Sequence, residues 1–283
     1  MAELTVPKAR EYGWELKPLS SAYFEVVRNQ SNQLCVVLAH SLLRGVTTEM
    51  IYWWFRHFPN LKVTLDDIPG YEGQQVPAYL LWHPSDHINA SLSGNLGPNN
   101  TSRAGAKIHV QECMQYLKYG LRFKVDQKLT IFYYEKDGWC MGKTIPFIGK
   151  LMSLRISFKD VYENGEIIGV QYHYEVVAGS HQQNFIAQKI TQKVVGNFAD
   201  EFWEAWLTHN VIEVGVFENF LAPLYAQRDD LDSLHYSKSM NPVVESPSTQ
   251  TGFDKDFFEA RIKGYEESRN GFDYQRGTQK SIL

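Results

Sequence analysis

The sequence predicts an α+β fold in which a curved antiparallel sheet grips a long C-terminal helix. Three observations predict it. From Lys107 to Val176 apolar residues recur with period two, and hairpin signals interrupt them at regular intervals. From Phe185 to about Tyr225 the period becomes helical and the segment is rich in aromatic residues. A sheet with one wet face and a long apolar helix can each bury an apolar side only by packing together as two layers.

Taken in order, the elements have local reasons. Thr47 and Thr48 can cap a helix carrying Met50, Ile51, Trp53, Trp54, Phe55 and Phe58, which Pro59 stops, so residues from the start to about 62 are expected to form a helical part lying against a core. Asp66 to Gln75 (DDIPGYEGQQ) is turn-rich, Tyr79 to Trp82 is expected to form a short strand ending at Pro84, and the polar loop SGNLGPNNTSRAG follows. Ile108, Val110, Glu112 and Met114 alternate with Lys107, His109 and Gln111. Lys136-Asp137-Gly138 and Asn164-Gly165 are hairpin turns between alternating segments, the last of which presents Ile168, Val170, Tyr172, Tyr174 and Val176 on alternate positions. The helical segment is expected to break near Gly196-Asn197 and to close at Pro223. Residues 1–230 are thus expected to form a single domain, and 231–283 a polar arm or tail in which Phe257, Phe258, Ile262 and Tyr265 could cover the cavity mouth or the neighbouring subunit.

Composition excludes several functions. The 283 residues are 43% hydrophobic and can bury a full core without staples. With 28 Lys+Arg against 32 Asp+Glu the net charge is −4, which argues against a nucleic-acid partner. Cys35, Cys113 and Cys140 are odd in number and widely spaced, so neither a disulfide framework nor a thiolate zinc site is offered. The charged first twenty residues lack a signal-like apolar core, and no later stretch is long and apolar enough to span a bilayer. A cytoplasmic protein with no membrane partner is expected.

Three polar anomalies then call for one explanation. In FWEAWLTHNVIEVGVFENFL, His209 and Glu213 lie four apart on a helix and share a stripe with Val216, Phe217 and Phe220. This spacing lets one helix offer two ligands to a metal, and equally suits a hydrogen-bonded pair. In Trp82-His83-Pro84-Ser85-Asp86-His87 two imidazoles and a carboxylate stand where the chain leaves an expected strand, with His83 in inward parity with Tyr79 and Leu81. Glu112 is in parity with Ile108 and Val110, on the core face, whereas His109 is not. A divalent metal held by one histidine of the WHP segment, Glu112, His209 and Glu213 would satisfy all three; nitrogen and oxygen donors suit zinc, with iron or manganese as alternatives.

The segments EMIYWWF, YLLWHPSDH, HVQE and THNVIEVGVFENFL, in this order, resemble the diacetylphloroglucinol hydrolase/phloretin hydrolase family over roughly Thr47 to Tyr225. HNVxEVGxFENF is the most specific part and WHPxDH the next. The resemblance implies a START-like helix-grip fold and zinc-dependent cleavage of the carbon–carbon bond between an acyl group and an electron-rich phenolic ring, releasing a carboxylic acid. It implies one Zn2+ per chain on His83, with His87 as the alternative first ligand, together with Glu112, His209 and Glu213. Tyr79, Tyr172 or Tyr174 and Asp86 are implied to position a small aromatic substrate, and His87, Asp86 or a tyrosine to supply the proton that the leaving ring carbon needs. The rival readings are a cyclase or decarboxylase, and a metal-independent binding protein for aromatic polyketides, on the same scaffold. A homodimer is compatible with either.

Overall fold

Asn164 and Gly165 both take positive φ, 51° and 85°, the backbone hand that a two-residue hairpin turn needs to match strand twist. They join the two longest strands of the protein, whose computed structural model describes residues 5–29, 31–196 and 200–242. In chain order the strands are β1 (Tyr23–Arg28), β2 (Leu34–Ala39), β3 (Leu43–Arg44), β4 (Lys62–Leu65), β5 (Gln74–Pro77), β6 (His87–Gly94), β7 (Ala106–Cys113), β8 (Lys124–Glu135), β9 (Gly138–Ile145), β10 (Gly149–Glu163), β11 (Glu166–Ala178) and β12 (His235–Tyr236). The helices are α1 (Thr48–His57), α2 (Tyr116–Tyr119), α3 (Phe185–Gly196), α4 (Asp200–Gly215) and α5 (Phe217–Tyr225).

Nine strands form one curved antiparallel sheet in the order β1-β2-β11-β10-β9-β8-β7-β6, with β3 also pairing β11. The expected meander is its centre, and the turn at Asp137 closes the Glu135↔Gly138 register of β8 and β9. The helical segment from α4 to α5 packs on the core face, where Tyr174 of β11 meets Trp206 at 6.1 Å and Tyr172 meets Phe217 at 6.3 Å between ring centroids. Most positions of α4 from Ala205 onward are buried around its whole circumference, so it is a core helix rather than an amphipathic surface one. Among the described residues no helix is long and apolar enough to cross a membrane.

Several expectations need correction. The N-terminal part is not mainly helical: β1 and β2 extend the sheet, and α1 is its one α-helix among the described residues. β2 (LCVVLA) is buried at every position because Val36 and Leu38 face the main core while Cys35, Val37 and Ala39 pack with Val177 on the other face. A uniformly apolar run of this length carries no period by which to recognise a strand. Tyr79 to Trp82 is not a strand but a 3-10 turn over Ala78–Trp82, entered through Pro77, and the strand starts only at His87. Pro223 does not end the helix, since α5 continues to Tyr225. The expected break at Asn197 lies outside the described residues. The domain does not stop at 230 either, because β12 adds in parallel to β4 and Leu234 and Tyr236 are buried; the arm beyond 242, with Phe257, Phe258, Ile262 and Tyr265, lies outside the described residues.

α1 begins as its sequence demands, with Thr47 Oγ1 accepting the Met50 N–H at 3.3 Å. Its rings join Trp82, Trp139, Phe158 and Phe217 in one aromatic cluster centred on Phe55. The N-terminal segment is tied to α5 by a buried ion pair: Lys17 Nζ donates to Glu218 Oε1 at 2.8 Å, to Ser41 Oγ at 3.1 Å and to the Leu42 carbonyl at 3.1 Å. Glu218 Oε1 also accepts the Arg44 N–H at 2.7 Å. Burial pushes the Lys17 ammonium below its ordinary range, and the Glu218 carboxylate opposes that shift. Removing one partner strands a buried charge, so Lys17→Met is expected to cost about 3–5 kcal/mol in urea unfolding. The double variant Lys17→Met/Glu218→Gln, which keeps an acceptor for Arg44, is expected to recover most of that loss.

Candidate metal centre

The site forms where the sheet edge, the WHP turn and α4 meet. His87 opens β6 and stands directly opposite Glu112 in the β6–β7 register, so two side chains of adjacent strands converge without any loop to place them. His209 and Glu213 project from successive turns of α4 towards the same point. His87 Nε2 lies 3.4 Å from Glu112 Oε2 and 4.0 Å from Glu213 Oε2. His209 Nε2 lies 3.3 Å from Glu112 Oε2 and 3.1 Å from Glu213 Oε2. Donor atoms about 2.0–2.1 Å from a tetrahedral zinc ion would stand roughly 3.3 Å from one another; the His87, Glu112 and His209 atoms form such a group, and Glu213 matches towards His209 but is wider towards His87.

The second nitrogen of each ring explains why Nε2 faces the carboxylates. His87 Nδ1 is 3.0 Å from the Tyr79 carbonyl and must carry the proton there, leaving Nε2 as a lone pair. His209 Nδ1 likewise donates to Asp86 Oδ2 at 2.9 Å. Neither Nε2 has a hydrogen-bond partner among the described residues, although both rings are buried. A carboxylate behind a histidine, holding its tautomer and orientation, is the usual support of a metal-binding imidazole. The carboxylates are held in turn: Tyr79 Oη donates to Glu112 Oε2 at 3.0 Å and Tyr174 Oη to Glu213 Oε1 at 3.2 Å.

His83, favoured as the first ligand from strand parity, has a different place. Its Nδ1 accepts the backbone N–H groups of Ser85 at 3.2 Å and Asp86 at 3.0 Å, so the neutral ring carries its proton on Nε2, 3.4 Å from Asp86 Oδ2. The ring stacks on His209 with centroids 4.7 Å apart and planes 10° from parallel. It is a turn-forming brace behind the site, and strand parity misplaces it because Tyr79 to Trp82 is a turn in which period two has no meaning. His83, Asp86 and His209 still form a second buried cluster of ligand-type groups. In that cluster, however, Asp86 is already saturated, accepting from His209, Ser85 Oγ at 2.9 Å, Gln115 N at 2.7 Å and Tyr116 N at 3.0 Å. The alternative first ligand, His87, fits the donor set of His87, Glu112, His209 and Glu213.

Electrostatics point the same way. Burial by itself would disfavour a charged His209, yet Asp86, Glu112 and Glu213 around it raise its affinity for a proton well above the ordinary range. Burial would also raise Glu112 and Asp86, but the surrounding imidazoles hold both below the usual carboxylate range. The centre is therefore a buried region of negative potential that draws a cation. Burial pushes the hydroxyls of Tyr79, Tyr172 and Tyr174 far above their ordinary range, so all three stay protonated, and Tyr79 and Tyr174 donate to the carboxylates. His109 faces away, as its parity predicts, and pairs with Asp126 at 2.6 Å.

Two residues escaped sequence reasoning. Arg10 donates to the Leu80 and His83 carbonyls, and its backbone N–H to the Pro84 carbonyl at 2.9 Å, bracing the WHP turn from the N-terminal segment. His40 is buried just past β2 against Tyr172 and Tyr174. Neither carries a local signal, because each owes its position to a strand pairing or a turn remote in sequence.

No family model and no curated protein matches the chain. A solved structure of a protein of unknown function from Staphylococcus aureus is similar to it at 8% identity, covering 66% of this chain and 94% of that one with a TM-score of 0.33. A likeness of that size carries no argument about fold or function.

Proposed function

We propose that the protein is a zinc-dependent hydrolase that cleaves the carbon–carbon bond between an acyl group and a phloroglucinol-type ring, on a START-like helix-grip scaffold. The observation that carries the reading is the convergence of His87, Glu112 and His209, with Glu213 beside His209, and with two buried Nε2 atoms unpartnered. Imidazole and carboxylate donors without thiolates are the ligand types of catalytic zinc sites, and with four protein donors the reaction would need a fifth position for the acyl oxygen. When bound, the metal would supply Lewis acidity towards the acyl carbonyl.

The chain's own groups supply the rest. Tyr79 and Tyr174 donate to the two carboxylates and fix their orientation. Asp86 sets the His209 tautomer. Cleavage requires a proton on the ring carbon before it can leave, since protonation there ketonises the phloroglucinol ring and sets that carbon between the acyl carbonyl and a ring carbonyl, so that its bond to the acyl carbon breaks as in a β-diketone. Tyr172, 5.4 Å from Tyr174 between ring centroids, is the tyrosine of this group that does not donate to a ligand carboxylate, and we assign it to deliver that proton. A flat aromatic substrate is further supported by Trp82, whose ring stacks on Phe217 at 5.4 Å and meets His87 at 5.6 Å.

The test is metal analysis of purified protein together with acid release from a panel of acylphloroglucinols. About one zinc per chain and acid release that stops with chelation and returns with zinc are expected. A protein that holds zinc but releases no acid would favour a cyclase or decarboxylase. A metal-free, equally stable protein would make His209 and Glu213 a structural pair and favour a binding protein.

A further inference from the structure

His40 is a fourth buried imidazole whose Nε2 has no hydrogen-bond partner among the described residues, alongside His83, His87 and His209. It is 3% exposed. Leu38 of β2 is opposite Tyr174 of β11, and the ladder runs on for one more bond, His40 N–H to the Tyr172 carbonyl at 3.0 Å. Leu38 faces the main core, so His40, two residues on, shares that face with both tyrosines. Its ring centroid is 5.5 Å from Tyr172 and 5.9 Å from Tyr174. Tyr174 is in turn bonded to Glu213. A side chain needed only for packing here would lose nothing as Leu or Phe, whereas a buried imidazole with an unmet nitrogen costs on the order of 1–3 kcal/mol. Burial, with Lys17 and His173 nearby, keeps the ring neutral, so it offers hydrogen bonding rather than charge.

Resting on the phenolic substrate proposed above, we propose that His40 is a substrate-binding residue whose Nε2 hydrogen-bonds a ring hydroxyl on the tyrosine side of the site. The chain then distinguishes aromatic rings by their hydroxyl count. The acyl end would face the metal held by His87, Glu112, His209 and Glu213, and a ring hydroxyl remote from the acyl group is read by His40, which selects polyhydroxylated rings. This specificity is built from β2 and β11, strands that contribute no metal ligand.

The experiment titrates the zinc-loaded wild type, His40→Phe and His40→Gln with phloroglucinol and with resorcinol, a ring one hydroxyl poorer, by calorimetry. Zinc content and circular dichroism of each protein are measured alongside. The wild type is expected to prefer phloroglucinol by about tenfold, the worth of one net hydrogen bond. His40→Phe is expected to bind both rings alike with its zinc retained, and His40→Gln to recover part of the preference. A merely structural role would weaken both rings equally and leave their ratio unchanged, and that result, or a His40→Phe protein with the wild-type preference, overturns the assignment while leaving the hydrolase reading intact. A zinc-loaded wild type that binds neither ring overturns both.

Discussion

Replacing His87 by alanine is expected to strip the zinc proposed here, whereas His83→Ala leaves it bound. His87 offers an unpartnered Nε2 within 3.4 Å of Glu112 Oε2, and its tautomer is set by the Tyr79 carbonyl. His83 has already committed its Nδ1 to two backbone N–H groups. If the affinity is of the size of a structural zinc site, roughly 10–16 kcal/mol, and is shared among four ligands, the loss of one costs about 2.5–4 kcal/mol, or on the order of 10²–10³ in Kd. Metal content after dialysis measures this directly. His83→Ala should instead lower thermal stability by about 1–3 kcal/mol, because the Ser85 and Asp86 N–H groups lose their acceptor inside the protein. Retention of zinc by His87→Ala with loss in His83→Ala would transfer the site to the other cluster.

The second large effect is expected at a residue that need not touch the metal. Asp86 accepts four hydrogen bonds, from His209 Nδ1, Ser85 Oγ, and the backbone N–H groups of Gln115 and Tyr116. In Asp86→Asn one oxygen becomes an NH2 that faces a donor. If that donor is His209, its ring takes the other tautomer, with the proton on Nε2, where the metal should sit. Zinc affinity is expected to fall by about 10–100-fold, the usual effect of losing a partner behind a metal-bound histidine. If one of the backbone groups is stranded instead, stability falls by about 1–3 kcal/mol. Zinc titration and urea unfolding separate the two outcomes, and an Asp86→Asn protein with unchanged zinc affinity would refute the assigned role.

Both predictions turn on differences that the linear sequence could not resolve. Period two alone identified Glu112 as inward and His109 as outward, because adjacent side chains on a strand must take opposite faces and β7 buries its apolar residues on one of them. Helical spacing alone placed His209 and Glu213 together. Those two rules depend on neighbours a few residues apart, and they held wherever the period was regular. In the WHP segment no period exists. There the chain enters a 3-10 turn through Pro77, and which imidazole points at Glu112 is decided by the β6–β7 register that sets His87 opposite it. His40, Arg10 and Lys17 lie further still from local inference, since Arg10 meets His83 across 73 residues and Lys17 meets Glu218 across 201.

The sequence by itself therefore determined the antiparallel meander, the C-terminal helical segment and three of the four converging donors, because each follows from a repeat that burial on one side imposes. The tertiary structure alone decided the fourth donor, the N-terminal strands and the tyrosine–histidine wall. β2 is buried on both faces and so shows no alternation, and a buried imidazole acquires its tautomer, charge and open nitrogen only from the groups that packing brings to its other side.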